Sequence, residues 1–118
     1  MNNSYQLFIG IDVSKGKADA AILKVSNLRS IQPIFLRKKL SFKFVKSDVT
    51  AFIDKVRSYS DFHCTNIVFA LEVTGVYSNN VYHFMHSNLV SNESIYFLNT
   101  DFVNQWRKAH NIAKSDPL

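Results

Sequence analysis

Two acidic residues lie at the ends of apolar runs, and they are the residues of this sequence best placed to do chemistry. Asp12 lies near the end of the run at 6–13, and Glu72 follows the run at 66–71. Short apolar runs with β-branched and aromatic members predict buried strands. An ionised carboxylate is costly to bury unless a partner pairs with it, and a bound cation is one such partner. The alternative for Asp12 is a strand-end residue that only caps the turn after it.

The two carboxylates would meet if their strands were neighbours in a sheet. Parallel α/β sheets bind ligands at the carboxyl ends of their strands, and Asp12 and Glu72 would approach each other there despite sixty residues of separation. Two adjacent carboxylates repel each other, and a bound cation relieves that repulsion. Hard oxygen ligands in an open site suit Mg²⁺ or Mn²⁺. Two such ions hold the attacking and leaving oxygens in phosphodiester chemistry, so the pair predicts a metal-dependent site.

The first half of the chain predicts an antiparallel meander of three strands. These strands cover 6–13, 17–25 and 34–44, and Gly16 supplies a tight turn between the first two. In the third strand apolar residues alternate with basic ones, which predicts one buried face and one solvated face. The residues expected on the buried face are Ile34, Leu36, Leu40, Phe42 and Phe44.

Alternating helices and strands follow the meander. We expect a helix with Ser47 as its N-cap, Asp48 in its first turn and an apolar stripe on one face. The later elements are expected at 66–71 (strand), 77–86 (helix), 95–98 (strand) and after 99–101 (helix). The order β-β-β-α-β-α-β-α predicts an α/β fold with a mixed sheet, in which three antiparallel strands are followed by parallel α/β units.

Composition narrows the class of protein. The 118 residues fit one domain, and 47% hydrophobic residues are enough for a core, so the chain is not disordered. A net charge of +5 favours an acidic partner, with nucleic acid first; a basic protein without such a partner is the alternative. The single Cys64 excludes an intrachain disulfide. No apolar run approaches the roughly 18 residues of a membrane span, so we expect a cytoplasmic protein without a membrane partner.

Three motifs in order resemble one family. They are the segments 8–15 (FIGIDVSK), 71–77 (LEVTGVY) and 114–118 (KSDPL). Together they resemble the N-terminal domain of the DEDD transposases of bacterial insertion sequences, which include the Piv-type site-specific DNA invertases. The resemblance covers nearly the whole chain, and its most specific part is the Glu-x-Thr-Gly-x-Tyr pattern that begins at Glu72. It implies a RuvC-like domain with a ribonuclease H-like fold.

The resemblance also assigns the acidic residues. It implies that Asp12, Glu72 and Asp116 are the first three catalytic and metal-ligating carboxylates, with Mg²⁺ (or Mn²⁺) as cofactor. The family's last Asp comes three residues after the third, and this chain ends at Leu118, one residue short of it. Residues 1–118 therefore resemble a domain truncated within its last acidic motif. Family members carry a further C-terminal domain with a serine implicated in strand transfer, so we expect this fragment to cut nothing efficiently by itself.

The implied function is DNA transposition or site-specific recombination by metal-dependent phosphodiester chemistry. The implied partners are DNA and, in part of the family, a structured guide RNA from the element, and the full-length protein is expected to be a homo-oligomer. Lys15 and Lys17 lie just past the first carboxylate, where they could contact phosphate, with a solvated turn as the equal alternative. We assign Thr74, Tyr77 and Lys114 to the same nucleic-acid site because they belong to the motifs that carry the resemblance.

Other functions remain open from the residues alone. The basic run Arg37, Lys38, Lys39, Lys43 and Lys46 could follow a nucleic-acid backbone, although lysines on an edge strand also prevent aggregation. An actin-like kinase or ATPase fragment would share the fold and the Gly-x-Asp strand, but it would carry a Gly/Thr-rich phosphate hairpin at 14–17. A non-catalytic nucleic-acid-binding module is the third hypothesis.

Overall fold

The computed structural model describes residues 3–14, 16–28, 30–72 and 77–98, and within α2 and the last strand it leaves the side chains of 77–81 and 98 undescribed. These ranges form five strands and two helices. In chain order the elements are β1 (Tyr5–Ser14), β2 (Lys17–Ser26), β3 (Ile34–Lys43), α1 (Lys46–Arg57), β4 (Cys64–Glu72), α2 (Tyr77–His86) and β5 (Glu93–Leu98). The helix expected after 99–101 lies outside the described residues.

All five strands form one sheet with the order β3-β2-β1-β4-β5. β1 pairs antiparallel with β2, and β2 pairs antiparallel with β3. On the other side β1 pairs parallel with β4, and β4 pairs parallel with β5. This topology confirms the predicted fold class, and it is that of the ribonuclease H-like fold. Its central strand is β1, which carries Asp12.

The main hydrophobic cluster of the core lies on one face of the sheet. Alternate residues of β1 from Tyr5 to Val13 are at most 4% exposed, as expected for a strand with one face against packed side chains. The predicted apolar stripe of α1 is confirmed, because Val49, Phe52, Ile53 and Val56 are all buried. Since α1 covers this face, the remaining β1 residues, Asp12 among them, belong to the opposite face.

An aromatic column joins three elements inside this core. The ring of Phe52 on α1 stacks on Phe42 of β3 with centroids 4.1 Å apart. The other contact of Phe52 is an edge-on approach to Phe69 of β4 at 6.1 Å. Aromatic pairs in these arrangements contribute beyond the area they bury. The column therefore holds α1 over the junction of the antiparallel and parallel halves of the sheet.

The start of α1 differs from the prediction. Ser47 is not the N-cap; the helix begins at Lys46, and the extended residue Val45 precedes it without a side-chain capping bond. Asp48 does lie in the first turn as expected. Its Oδ2 accepts a hydrogen bond from the backbone N–H of Lys43 at 3.2 Å. Only two residues separate β3 from α1. The side chain that binds the backbone at this junction is therefore Asp48, at the end of β3, and not Ser47 at the start of α1.

The alternation of buried and exposed residues that was predicted for β3 is also not observed at the start of the strand. Ile34 was expected to be buried, but it is 55% exposed. The pairing of β2 with β3 shifts register twice, between Ala20 and Ile22 and between Ile22 and Leu23. Each shift adds a residue on β3, and an extra residue in one strand interrupts the alternation of faces. Phe42, beyond the shifts, is buried as predicted.

Four strands are longer than expected, and β1 and β2 extend past the predicted 6–13 and 17–25 by only one or two residues. The strand predicted at 66–71 begins at Cys64 and includes Glu72, and the strand predicted at 95–98 begins at Glu93. No described helix is long and apolar enough to span a membrane.

A half-buried ion pair joins β5 to α1. The carboxylate of Glu93 is 2% exposed and accepts hydrogen bonds from Nε and Nη2 of Arg57, both at 2.7 Å. Nη2 of Arg57 also donates to the carbonyl of Asn88 at 2.9 Å, and the backbone N–H of Val90 donates to Glu93 at 3.0 Å. Bidentate pairs of this kind are among the strong hydrogen bonds of proteins. The pair therefore anchors the edge strand beside β4.

This ion pair predicts an acid-dependent loss of stability. Burial alone would raise the pKa of Glu93, but hydrogen bonds from Arg57 and Val90 and the attraction of the guanidinium outweigh it and lower the pKa. A depressed folded-state pKa means that the stabilisation is present above the unfolded pKa and is lost as the pH falls through the folded value. We expect Glu93→Gln to lower the free energy of unfolding by about 1–3 kcal/mol at neutral pH, measured by urea unfolding.

The difference between wild type and Glu93→Gln should shrink as the pH is lowered below about 4. Asp54→Asn is the matched control, because Asp54 is 68% exposed and lies 3.6 Å from the same Arg57. An exposed pair contributes little, so this variant should stay within about 0.5 kcal/mol of wild type. A Glu93→Gln effect that is equal at acidic and neutral pH would contradict the role given to the ion pair.

Candidate functional site

Asp12 lies on the face of the sheet away from α1. Its neighbours in β1, Ile11 and Val13, are buried in the core, whereas Asp12 itself is exposed. Two residues earlier on the same face is Gly10, where an added Cβ would meet no atom within 4 Å. The central strand thus presents one exposed carboxylate near its carboxyl end. We call this end of the Asp12 side of the sheet the open face; farther back on the same side Leu23 and Ala70 are buried.

Glu72 lies on the neighbouring strand at the matching position. β1 and β4 pair in parallel, and their last register pair is Ile11 with Leu71. Asp12 and Glu72 each follow that pair by one residue, so both belong to the face that is opposite the core. Adjacent strands are about 4.8 Å apart. The register therefore brings these two predicted residues to adjacent positions, while their joint binding of a metal stays a prediction.

A third carboxylate, which was not among the predicted site residues, lies in the same row. Asp19 of β2 is the direct cross-strand partner of Asp12. Asp19 is in turn opposite Ser41 of β3, whose Oγ donates a hydrogen bond to its Oδ1. We call Glu72, Asp12, Asp19 and Ser41 the acidic row, because they occupy matching positions on four neighbouring strands. The signal was present in the sequence: a two-residue turn that pairs Ser14 with Lys17 also pairs Asp12 with Asp19.

The acidic row opposes the stability of the sheet. Like charges directly opposite each other on antiparallel strands are destabilising, and Asp12 and Asp19 are such a pair. The hydroxyl of Ser41 offsets part of this cost at Asp19 by donating to it. Asp12 is exposed and Asp19 half-buried, so solvent screens some of the repulsion. A cation at the row would relieve the remainder.

The donor set fits a hard cation. Mg²⁺ is commonly held in proteins by one or two carboxylates while water completes its shell, and Asp12 and Glu72 supply carboxylates at adjacent positions. Over the residues that the structure describes, no three His, Cys, Asp or Glu side chains form a metal-binding group. The third predicted ligand, Asp116, lies outside the described residues.

The structure describes only some of the residues predicted to bind nucleic acid. Lys17 begins β2, is exposed and pairs with Ser14 across the turn, where Gly16 has a φ of 75° that favours glycine. Tyr77 begins α2, but its side chain is among those not described. The remaining predicted residues, Lys15, Thr74 and Lys114, lie outside the described residues.

Comparisons of the sequence with protein-family models and with curated proteins give no match. The fold and the positions of the named residues are therefore the basis for assigning a function.

The repulsion within the acidic row predicts that neutralising it stabilises the protein. In the absence of divalent cations, Asp12→Asn and Asp19→Asn should each raise the free energy of unfolding by about 0.2–1 kcal/mol. The double variant should gain little more than either single variant, because one repulsion is removed only once. Urea unfolding of the four proteins gives this double-mutant cycle. Single variants that lower stability, or gains that simply add, would show that the two carboxylates do not repel each other.

Proposed function

We propose that this chain is the RuvC-like N-terminal domain of a DEDD-type insertion-sequence transposase, which takes part in metal-dependent phosphodiester chemistry on DNA. The observation that carries the proposal is the register of β1 and β4, which gives Asp12 and Glu72 adjacent positions on the open face. Support also comes from the ribonuclease H-like topology, a fold that many nucleases use, and from the resemblance of the three sequence motifs.

In this proposal the strands act as a rigid support for the carboxylates. Asp12 and Glu72, together with Asp116, would hold Mg²⁺ or Mn²⁺. Lewis-acid polarisation of a phosphoryl oxygen and activation of water are the chemistry that a metal ion would supply there. The chain's own contribution is orientation: Asp12 lies on the central strand, which is hydrogen-bonded on both sides. Such a support keeps the donor oxygens in place without reorganisation when substrate arrives.

DNA is the proposed substrate. The net charge of +5 supports attraction to a polyanion, and the exposed Lys17 lies two residues from Asp19 on the same strand. By its resemblance the chain would act within a longer protein whose C-terminal domain supplies strand transfer. A guide RNA and a homo-oligomeric assembly belong to the same proposal, since both come from the family resemblance.

Binding of Mn²⁺ to the intact chain tests the proposal. Mn²⁺ is paramagnetic, so the free ion can be counted by electron paramagnetic resonance during a titration. We expect one class of site whose affinity falls at least about tenfold in Asp12→Asn and in Glu72→Gln. Asp54→Asn, which removes an equal charge from the exposed side of α1, should bind as wild type does.

Equal Mn²⁺ affinity in all four proteins would contradict the metal site. It would leave the non-catalytic nucleic-acid-binding module as the better account of the chain. Circular dichroism of each variant checks that the fold is retained.

A further inference from the structure

A pair of lysines lies directly beside the acidic row. Lys17 of β2 is opposite Lys43 of β3, and on its other side it is opposite Ser14 of β1. Both lysines are exposed. Ser14, Lys17 and Lys43 therefore form a second row across three strands, which we call the lysine row. Two cations in direct cross-strand opposition are as unfavourable as two anions.

The lysine row shares a face with the acidic row. Ser14, Lys17 and Lys43 each lie two residues beyond a member of the acidic row on the same strand, namely Asp12, Asp19 and Ser41. Residues two apart on a strand point to the same side, and their separation along the strand is about 6.7 Å. That distance is close to the length of one nucleotide step of an extended backbone. The open face thus presents anions in one row and cations one step away.

Among the described residues, neither lysine forms an ion pair with a carboxylate. The carboxylate of Asp48 lies close to Lys43, but it accepts a hydrogen bond from the backbone N–H and not from the ammonium group. In the part of the chain that the structure describes, Asp54 and Glu93 instead pair with Arg57. Other lysines lie over aromatic rings, as Lys24 does over Tyr5. Lys17 and Lys43 are exposed, and the cross-strand register places them side by side.

We propose that Lys17 and Lys43 together bind one phosphate of a DNA strand, adjacent to the phosphate at Asp12 and Glu72. This inference rests on the proposed function. It adds Lys43 to the binding residues, and it places neighbouring phosphates of the DNA strand at the lysine row and at the acidic row. An anionic oxygen between the two ammonium groups converts their repulsion into attraction. The lysine row thereby holds the backbone that the acidic row alone would repel, and it sets which phosphate reaches the carboxylates.

The salt dependence of DNA binding tests this pair. The probe is a fluorescein-labelled DNA duplex with a single-stranded end, and fluorescence polarisation gives its affinity for the intact chain in EDTA over a series of salt concentrations. Each lost phosphate contact lowers the slope of log affinity against log salt by about 1. Because the two lysines share one phosphate in this proposal, we expect the double variant Lys17→Gln/Lys43→Gln to lower it by about 1.

Lys38→Gln/Lys39→Gln is the matched control. This variant also removes two positive charges from exposed positions. Both positions lie on β3, the strand of Lys43, within the stretch where the register with β2 shifts. Its slope should fall by less than half as much as that of the first double variant. Equal losses in the two double variants would overturn the inference, as would a wild-type chain that does not bind the duplex. An RNA of the same sequence that binds more tightly, with the same lysine dependence, would overturn the assignment to DNA.

Two further measurements separate this inference from its alternatives. Without DNA, Lys17→Gln/Lys43→Gln should melt at or above the wild-type temperature, because a repulsion is removed; a lower melting temperature would show that the lysines are structural. The same variant should keep wild-type Mn²⁺ affinity. If Mn²⁺ binding depends on Asp12 but DNA binding ignores the lysines, the inference fails and the proposed function stands. If the lysine dependence holds but Mn²⁺ ignores Asp12, the proposed function fails.

Discussion

The alternation of side chains along β1 is the constraint on which the rest of the structure depends. The strand is paired on both sides, and its five alternate residues from Tyr5 to Val13 are at most 4% exposed. A slip of one residue against either neighbour would expose these apolar side chains and turn Asp12 into the core. Burial of that set therefore determines the face on which Asp12 lies. The chemistry of the open face is a consequence of how the other face is packed.

The two neighbours of β1 contribute different groups to that open face. The parallel strand β4 brings Glu72, and the antiparallel strand β2 brings Asp19 and Lys17 through a tight turn. Charges of one sign in direct opposition reduce the stability of a sheet. The apolar core beneath, with its aromatic column at Phe52, stabilises the sheet enough to tolerate them. A ligand that binds only the folded state stabilises it, so a bound cation or phosphate would offset this cost.

Periodicity in the sequence was sufficient for the fold class and for the buried stripe of α1, because both depend on which residues are apolar. Periodicity was not sufficient where the pairing between strands determines which side chains are exposed or adjacent. The exposure of Ile34 follows from register shifts that involve β2 as much as β3, and the position of Asp19 requires the length of the turn. Arg57 and Glu93 are far apart in the chain, so no local sequence pattern predicts their ion pair. Ser47 has the chemistry of an N-cap, but the strand end left no room for that role.

The central claim is that Asp12 and Glu72 converge on one cation. A crystal of the chain soaked in Mn²⁺, measured near the manganese absorption edge, tests this most directly because the anomalous signal locates the metal independently of the protein atoms. We expect an anomalous peak within ligand distance of both carboxylates. Carboxylates of Asp12 and Glu72 that point into different regions, with no peak between them, would contradict it.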